Sequence, residues 1–342
     1  MLIIVGSTAG GRGVTVFSQD TDGSLESTGA PVGIPSPTFL TSHPRLPVVY
    51  AVNTLAEGAV TALSVDGDGI LTQFSNSRSG GVQPSHAAVT DDGRFLICSH
   101  YGGSGVVSVL PVTDDGSLRA PHHVEVPAGD RRAISHHVST CDDEAVITFL
   151  GLGEIRGYRI DPEGALALAW TAHADDPKAG PRHLVRHPAG PWFVSDELSS
   201  TVSVYLPDQA GGVRWSGSVP ASLAEPVPGD PNRPSEIALS PDGRFLYVAN
   251  RSADTIAAFT VDGPRLRHLG ETPAGGVRPR HFALVGSRLY VANERSACIT
   301  TLMIEAGTGK PGDPRSVAEV ERPTCVLSLE PDRRSLDSLN TR

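Results

Sequence analysis

The feature of this sequence that most restricts its fold is an internal repeat. "TDDGRFLICSHYGGSGVVSVLPVTDDGSL" (residues 90–118) and "SPDGRFLYVANRSADTIAAFTVDGPRL" (240–266) follow one plan: an Asp-Gly turn, an apolar strand, a polar knuckle, a second strand and another turn. Aligned on the knuckle that follows the apolar strand, the units bring Ser7, Asn53, His100, Gly151, Asp196, Asn250 and Asn293 into register, 43 to 54 residues apart. Solenoid repeats run to roughly 20–35 residues, whereas this period belongs to propeller blades. Seven knuckles predict an all-β, seven-bladed β-propeller of four-stranded antiparallel blades.

The chain ends fit a closed ring. "RPTCVLSLEP" (322–331) looks like the opening strand of a blade, as in "RPSEIALSP" (233–241), but no second strand follows it. The N-terminal "LIIVGS" supplies that strand, so pairing the two ends would close the ring and remove its open edges. The expectation is one domain over 1–331 and a polar tail over 332–342. The segment "SVPASLAEPVPGDPNRP" (218–234) lengthens unit five, as a Pro-rich surface excursion or as a cover over one channel end.

Composition excludes several functions. A formal net charge of -10 argues against a nucleic-acid or anionic-membrane surface, although a local basic pocket remains compatible with it. "MLIIVGSTAGG" lacks the basic start and apolar length of a signal peptide, which points to the cytoplasm. The four cysteines are widely separated, as reduced thiols packed in strands would be, and the twelve histidines lack metal-ligand spacing. No metal and no cofactor are expected. "GSTAGGRG" (6–13) lacks the Lys-Ser/Thr ending of a phosphate-binding loop and reads as a hairpin turn. "GLGEIRG" (151–157) continues as a strand, whereas a dinucleotide site needs a helix N-terminus. No serine sits in a Gly-x-Ser-x-Gly elbow, which disfavours an acyl-enzyme.

In a propeller the innermost strands run along the channel, so equivalent strand ends share one mouth. "GPRHLVRHP" with "DELSSTVSVY", "SEIALSPDGRFLYVANR", "VRPRHFAL" with "VANE", and "HYGGSGVVSV" resemble the seven-bladed lactonase propellers. That family includes bacterial 6-phosphogluconolactonase and fungal 3-carboxy-cis,cis-muconate lactonizing enzyme. The resemblance spans nearly the whole chain. It implies a catalytic mouth built from a unit-four His, a unit-five Arg and Glu, and a unit-six Arg, which fall on His136, Arg182, Glu197 and Arg251. Two departures are visible: the family's His-x-His reads Ile134-Ser135-His136, and its Asp-Leu-Gly reads Gly151-Leu152-Gly153.

Chemically, Arg182 and Arg251 suit the carboxylate or phosphate of an anionic substrate, because guanidinium is a permanently charged planar fork. Glu197 and His136 are the candidates for proton transfer. On a strand only one of His136 and His137 would face inward. Arg280 and Glu294 repeat the Arg182 and Glu197 arrangement in unit seven, and they join His100, Tyr101 and His183 as substrate-binding candidates. His86, His183 and His281 occupy one repeated slot and read as hydrogen-bonding between blades. A monomeric lactonase acting on a small anionic lactone is the preferred function. A muconate-type cycloisomerase or specialised-metabolite cyclase is the alternative enzyme, and a non-catalytic binding propeller is the alternative of another class.

Overall fold

A computed structural model describes residues 1–8, 12–124, 131–225 and 229–330. The expected tail lies outside these residues, as do 9–11 of the glycine-rich turn and 226–228 of the long connection in unit five. The described chain forms seven four-stranded antiparallel sheets, six of which run outward in sequence order from an innermost strand. Pro323–Leu329 is the innermost strand of blade one and pairs with Leu2–Ser7, with Ile4 opposite Leu327. The predicted closure and blade count both hold.

Packing explains the strand order. Second strands such as Val48–Asn53, Phe95–His100 and Phe245–Asn250 are buried along their whole length, because neighbouring blades cover both faces. Outermost strands such as Val213–Pro220 alternate toward solvent. Seven apolar clusters result, one at each junction between blades, from Ile4 and Leu63 between blades one and two to Val5 and Tyr290 between blades seven and one. Tyrosines of the second strands latch three of these junctions: Tyr50, Tyr247 and Tyr290 donate to the carbonyls of Gly116, Gly309 and Gly23 in the next blade.

The knuckle alignment needs one correction. Six knuckles end their second strands as expected, but in blade four the strand is Glu144–Phe149. Phe149 lies opposite Glu154 as Asp196 lies opposite Thr201, so the knuckle is Phe149 and not Gly151. An apolar residue there hides the position from an alignment that seeks polar groups. Phe149-Leu150-Gly151 therefore occupies the place assigned above to Gly151-Leu152-Gly153.

One irregularity recurs seven times. Each innermost strand carries an extra residue at its mouth end, as where Pro181 faces Asp196 but His183 already faces Ser195. The same shift occurs in the other six blades. Such a bulge re-aims a side chain that the strand period would send to the opposite face.

Tyr290 closes the ring between blades seven and one, donating to Gly23 at 3.0 Å and accepting from Gln19 Nε2 at 2.8 Å. Tyr290→Phe should destabilise the protein by about 1–3 kcal/mol, because a buried carbonyl loses its donor. Urea unfolding at unchanged m-value is the measurement.

Candidate active site

The bulges build the channel in two tiers. Thr38, Ser85, His136, Arg182 and Arg280 face the mouth, and the residues that follow them point into the channel below. His136 and His137 therefore both turn inward: His136 lines the mouth, while the His137 ring lies 4.9 Å from that of His183. The expectation that only one could do so fails because strand alternation is broken at this point.

A second set of mouth residues comes from the knuckles, though not from the knuckle residues themselves. Asn53, His100, Asp196, Asn250 and Asn293 are fully buried within the blades. The next residue reaches the mouth, and its N–H donates to the residue preceding the innermost strand: Tyr101 to Gln83, Glu197 to Gly180, Arg251 to Arg233 and Glu294 to Arg278. His100 is accordingly not a mouth residue. Its Nδ1 lies 2.9 Å from the Val106 carbonyl and its Nε2 3.0 Å from Ser79 Oγ. Tyr101 does line the mouth, edge-on to His136.

The mouth pocket, about 290 Å3, is lined by Arg182, Arg233, Arg251, Arg278 and Arg280 with Glu197, His136, Tyr101 and small polar groups. Five guanidiniums line it, and although Arg278 and Arg280 also face Glu294, they outnumber the carboxylates Glu197 and Glu294 and make the pocket basic inside an acidic chain. Glu197 is buried and accepts from Arg251 Nη2 at 2.7 Å, with Arg182 Nε at 3.3 Å. Burial would raise its pKa, but Arg251 and Arg182 outweigh that and hold it below the usual carboxylate value. Burial, together with Arg251, pulls Arg182 down to about 9, which leaves it charged at neutral pH. His136 is pushed well below 6.5, first by burial and then by Arg182, so its imidazole is neutral.

Among the described residues, three nitrogens of Arg182 and His136 lack a hydrogen-bond partner. Arg182 Nε and Nη1 and His136 Nδ1 are buried without a hydrogen bond. The Arg182 Nε contact to Glu197 is thus an ion pair at poor hydrogen-bond geometry. Hydroxyls from adjacent blades fix the backbones that carry both residues: Ser99 Oγ donates to the His136 carbonyl, and Thr148 Oγ1 to that of Arg182 at 2.8 Å.

His183 lies in the tier below the mouth, as do His86 and His281. Its Nδ1 is 3.0 Å from Glu236 Oε2, which also contacts His281 Nε2 at 2.9 Å. His86 Nδ1 accepts from the Val138 N–H of blade four. These contacts cross blades, as expected for this slot, and they keep His183 off the substrate-facing wall. Arg280 lines the mouth, 3.7 Å from the buried Glu294.

Sequence reasoning missed Arg233 and Arg278. The signal was present, since Arg233-Pro234, Arg278-Pro279 and Arg322-Pro323 repeat one dipeptide at the start of three innermost strands.

The Lactonase, 7-bladed beta-propeller family model matches residues 2–328. The 6-phosphogluconolactonase of Bacillus subtilis strain 168 is 26% identical over 334 residues, covering 94% of this chain and 95% of its own length. That of Pectobacterium carotovorum is 30% identical over 260 residues, covering 73% of this chain and 75% of its own. Among solved structures, the periplasmic gluconolactonase of Pseudomonas aeruginosa superposes with a TM-score of 0.84 at 26% identity, covering 96% of this chain and 99% of its own.

Glu197→Gln would leave two buried guanidiniums facing a neutral amide and should cost roughly 3–5 kcal/mol at neutral pH. Because the folded carboxyl titrates below 4.5, its contribution is complete above that pH and is lost as pH falls through the folded value. Unfolding midpoints measured against pH should therefore show the wild type and the variant converging in acid.

Proposed function

Because this chain belongs to the seven-bladed β-propeller lactonase family, we propose that it hydrolyses a small anionic lactone, of the 6-phosphogluconolactone kind named for its relatives, at the channel mouth. The observation that carries this reading is the convergence of Arg182, Arg251, Glu197 and His136 on one basic pocket.

Arg182, with Arg251, donates to the lactone carbonyl oxygen as it becomes an oxyanion, a charge that a buried guanidinium stabilises more strongly than water does. Neutral His136 takes a proton from water as that water adds to the carbonyl carbon. The ring C–O bond then breaks, the leaving oxygen recovers the proton from the imidazolium, and the hydroxy-acid product is left. Glu197 has a different role. Held ionised between two guanidiniums, it orients their forks and limits their mutual repulsion. The remaining arginines hold the substrate's anionic group.

We take the enzyme to be a cytoplasmic monomer. Its four cysteines are free thiols, as a reducing compartment keeps them. Among the described residues no helix is long and apolar enough to cross a membrane.

His136→Asn should lower kcat by about 10²–10⁴-fold on the preferred lactone, followed by pH-stat or NMR across phosphorylated sugar lactones, neutral lactones and carboxymuconates. Equal turnover by wild type and variant would remove His136 from the mechanism. A wild type that consumes carboxymuconates but no lactone would replace hydrolysis by cycloisomerisation. The acid limb is a separate check. As the folded imidazole stays neutral until well below 6.5, kcat/KM should hold its plateau through that pH and decline only in stronger acid.

A further inference from the structure

The mouth holds a second cluster of the same design. Glu294 follows its knuckle as Glu197 does, and Arg280 occupies on its innermost strand the place of Arg182, each preceded by a proline opposite the knuckle. Around Glu294 lie Arg278 Nε at 2.9 Å, Arg280 Nη1 at 3.7 Å and Arg322 Nη2 at 3.9 Å. These groups open onto a separate pocket of about 410 Å3, lined by Arg278, Glu294, Arg295, Ala297 and Arg322. Arg278 belongs to the walls of both pockets.

Charge here is unbalanced. The buried Glu294 faces Arg278, Arg280 and Arg322, and the half-buried Asp254 lies within the field of Arg278 and Arg295, so two carboxylates stand against four guanidiniums; Arg295 forms no ion pair among the described residues. The backbones are pinned: the Arg278 N–H donates to Asp254 Oδ1 at 2.6 Å, its carbonyl accepts from Glu294, and the Arg322 carbonyl accepts from Thr8. Arg278 and Arg322 both sit in the left-handed region, at φ 63 and φ 47. An excess of guanidinium carried on pinned backbones suits a tetrahedral, multiply charged oxyanion, which can accept several forks at once.

We propose that Arg278, Arg295 and Arg322 form a distal anion seat that takes the phosphate of a phosphorylated sugar lactone while its ring ester lies between Arg182 and His136. The seat rests on the lactonase reading for its substrate, but not for its ability to bind an oxyanion. Shared Arg278 joins the two pockets, so a short polyol arm can link ester and phosphate. The seat then acts as a selectivity device: it favours lactones with a second anionic group and contributes little to a neutral one.

The test compares wild type with Arg295→Gln and Arg322→Gln. For each, kcat/KM is measured on a phosphorylated aldonolactone and on its unphosphorylated counterpart. The ratio of the two should fall about tenfold per variant, the worth of one charged hydrogen bond. Inorganic phosphate should compete with the phosphorylated substrate and leave the unphosphorylated one largely unaffected. An unchanged ratio in both variants, or equal phosphate inhibition of both substrates, would overturn the seat. Calorimetry with the ring-opened phosphorylated aldonate separates this outcome from failure of the lactonase reading. A wild type that hydrolyses nothing, yet binds this product about tenfold more tightly than Arg322→Gln, retains the seat and loses the reaction. Equal binding by both proteins removes the seat whatever the activity.

Discussion

One extra residue at the mouth end of every innermost strand governs what this propeller can do. Regular alternation would give the channel one side chain per blade at that level and turn the next into the blade. The bulge turns both inward, so His136 and His137, or Arg182 and His183, can occupy successive tiers of one channel. A basic mouth therefore sits directly on a tier of histidines, of which His183 and His281 are joined through Glu236.

The second constraint is electrostatic. Gathering so many guanidiniums in one concavity is unfavourable unless carboxylates are interleaved, and Glu197 and Glu294 do this from equivalent positions in blades five and seven. Each is buried, and each is held ionised because its arginines outweigh the cost of burial. Neutralisation is incomplete in both cases. The residual positive charge is what an anionic ligand would meet, and it exists within a chain whose total charge is strongly negative.

Much of this was legible in the residues. The Asp-Gly turns, the apolar second strands and the period between knuckles carried the blade count, and the unpaired strand at each end carried the closure. His136, Arg182, Glu197 and Arg251 could be brought to one mouth because equivalent places in a repeat share a place in space. His100 was misread for a related reason: a polar knuckle can turn into its blade or out to the mouth, and the backbone alone decides between them. Phe149 escaped because its apolar side chain breaks the pattern used to find knuckles. Arg233 and Arg278 stood in a visible Arg-Pro repeat whose meaning depends on a backbone turn that sequence periodicity does not describe.

By itself, then, the sequence determined the architecture and the blade positions of His136, Arg182, Glu197 and Arg251, because turn chemistry and strand burial are local and recur in each unit. Tertiary structure alone decided which side of each strand those residues face, which arginine shares which carboxylate, and which nitrogens stay unpartnered. These outcomes depend on a one-residue register shift and on contacts between units some fifty residues apart, where neither local propensity nor spacing carries the information.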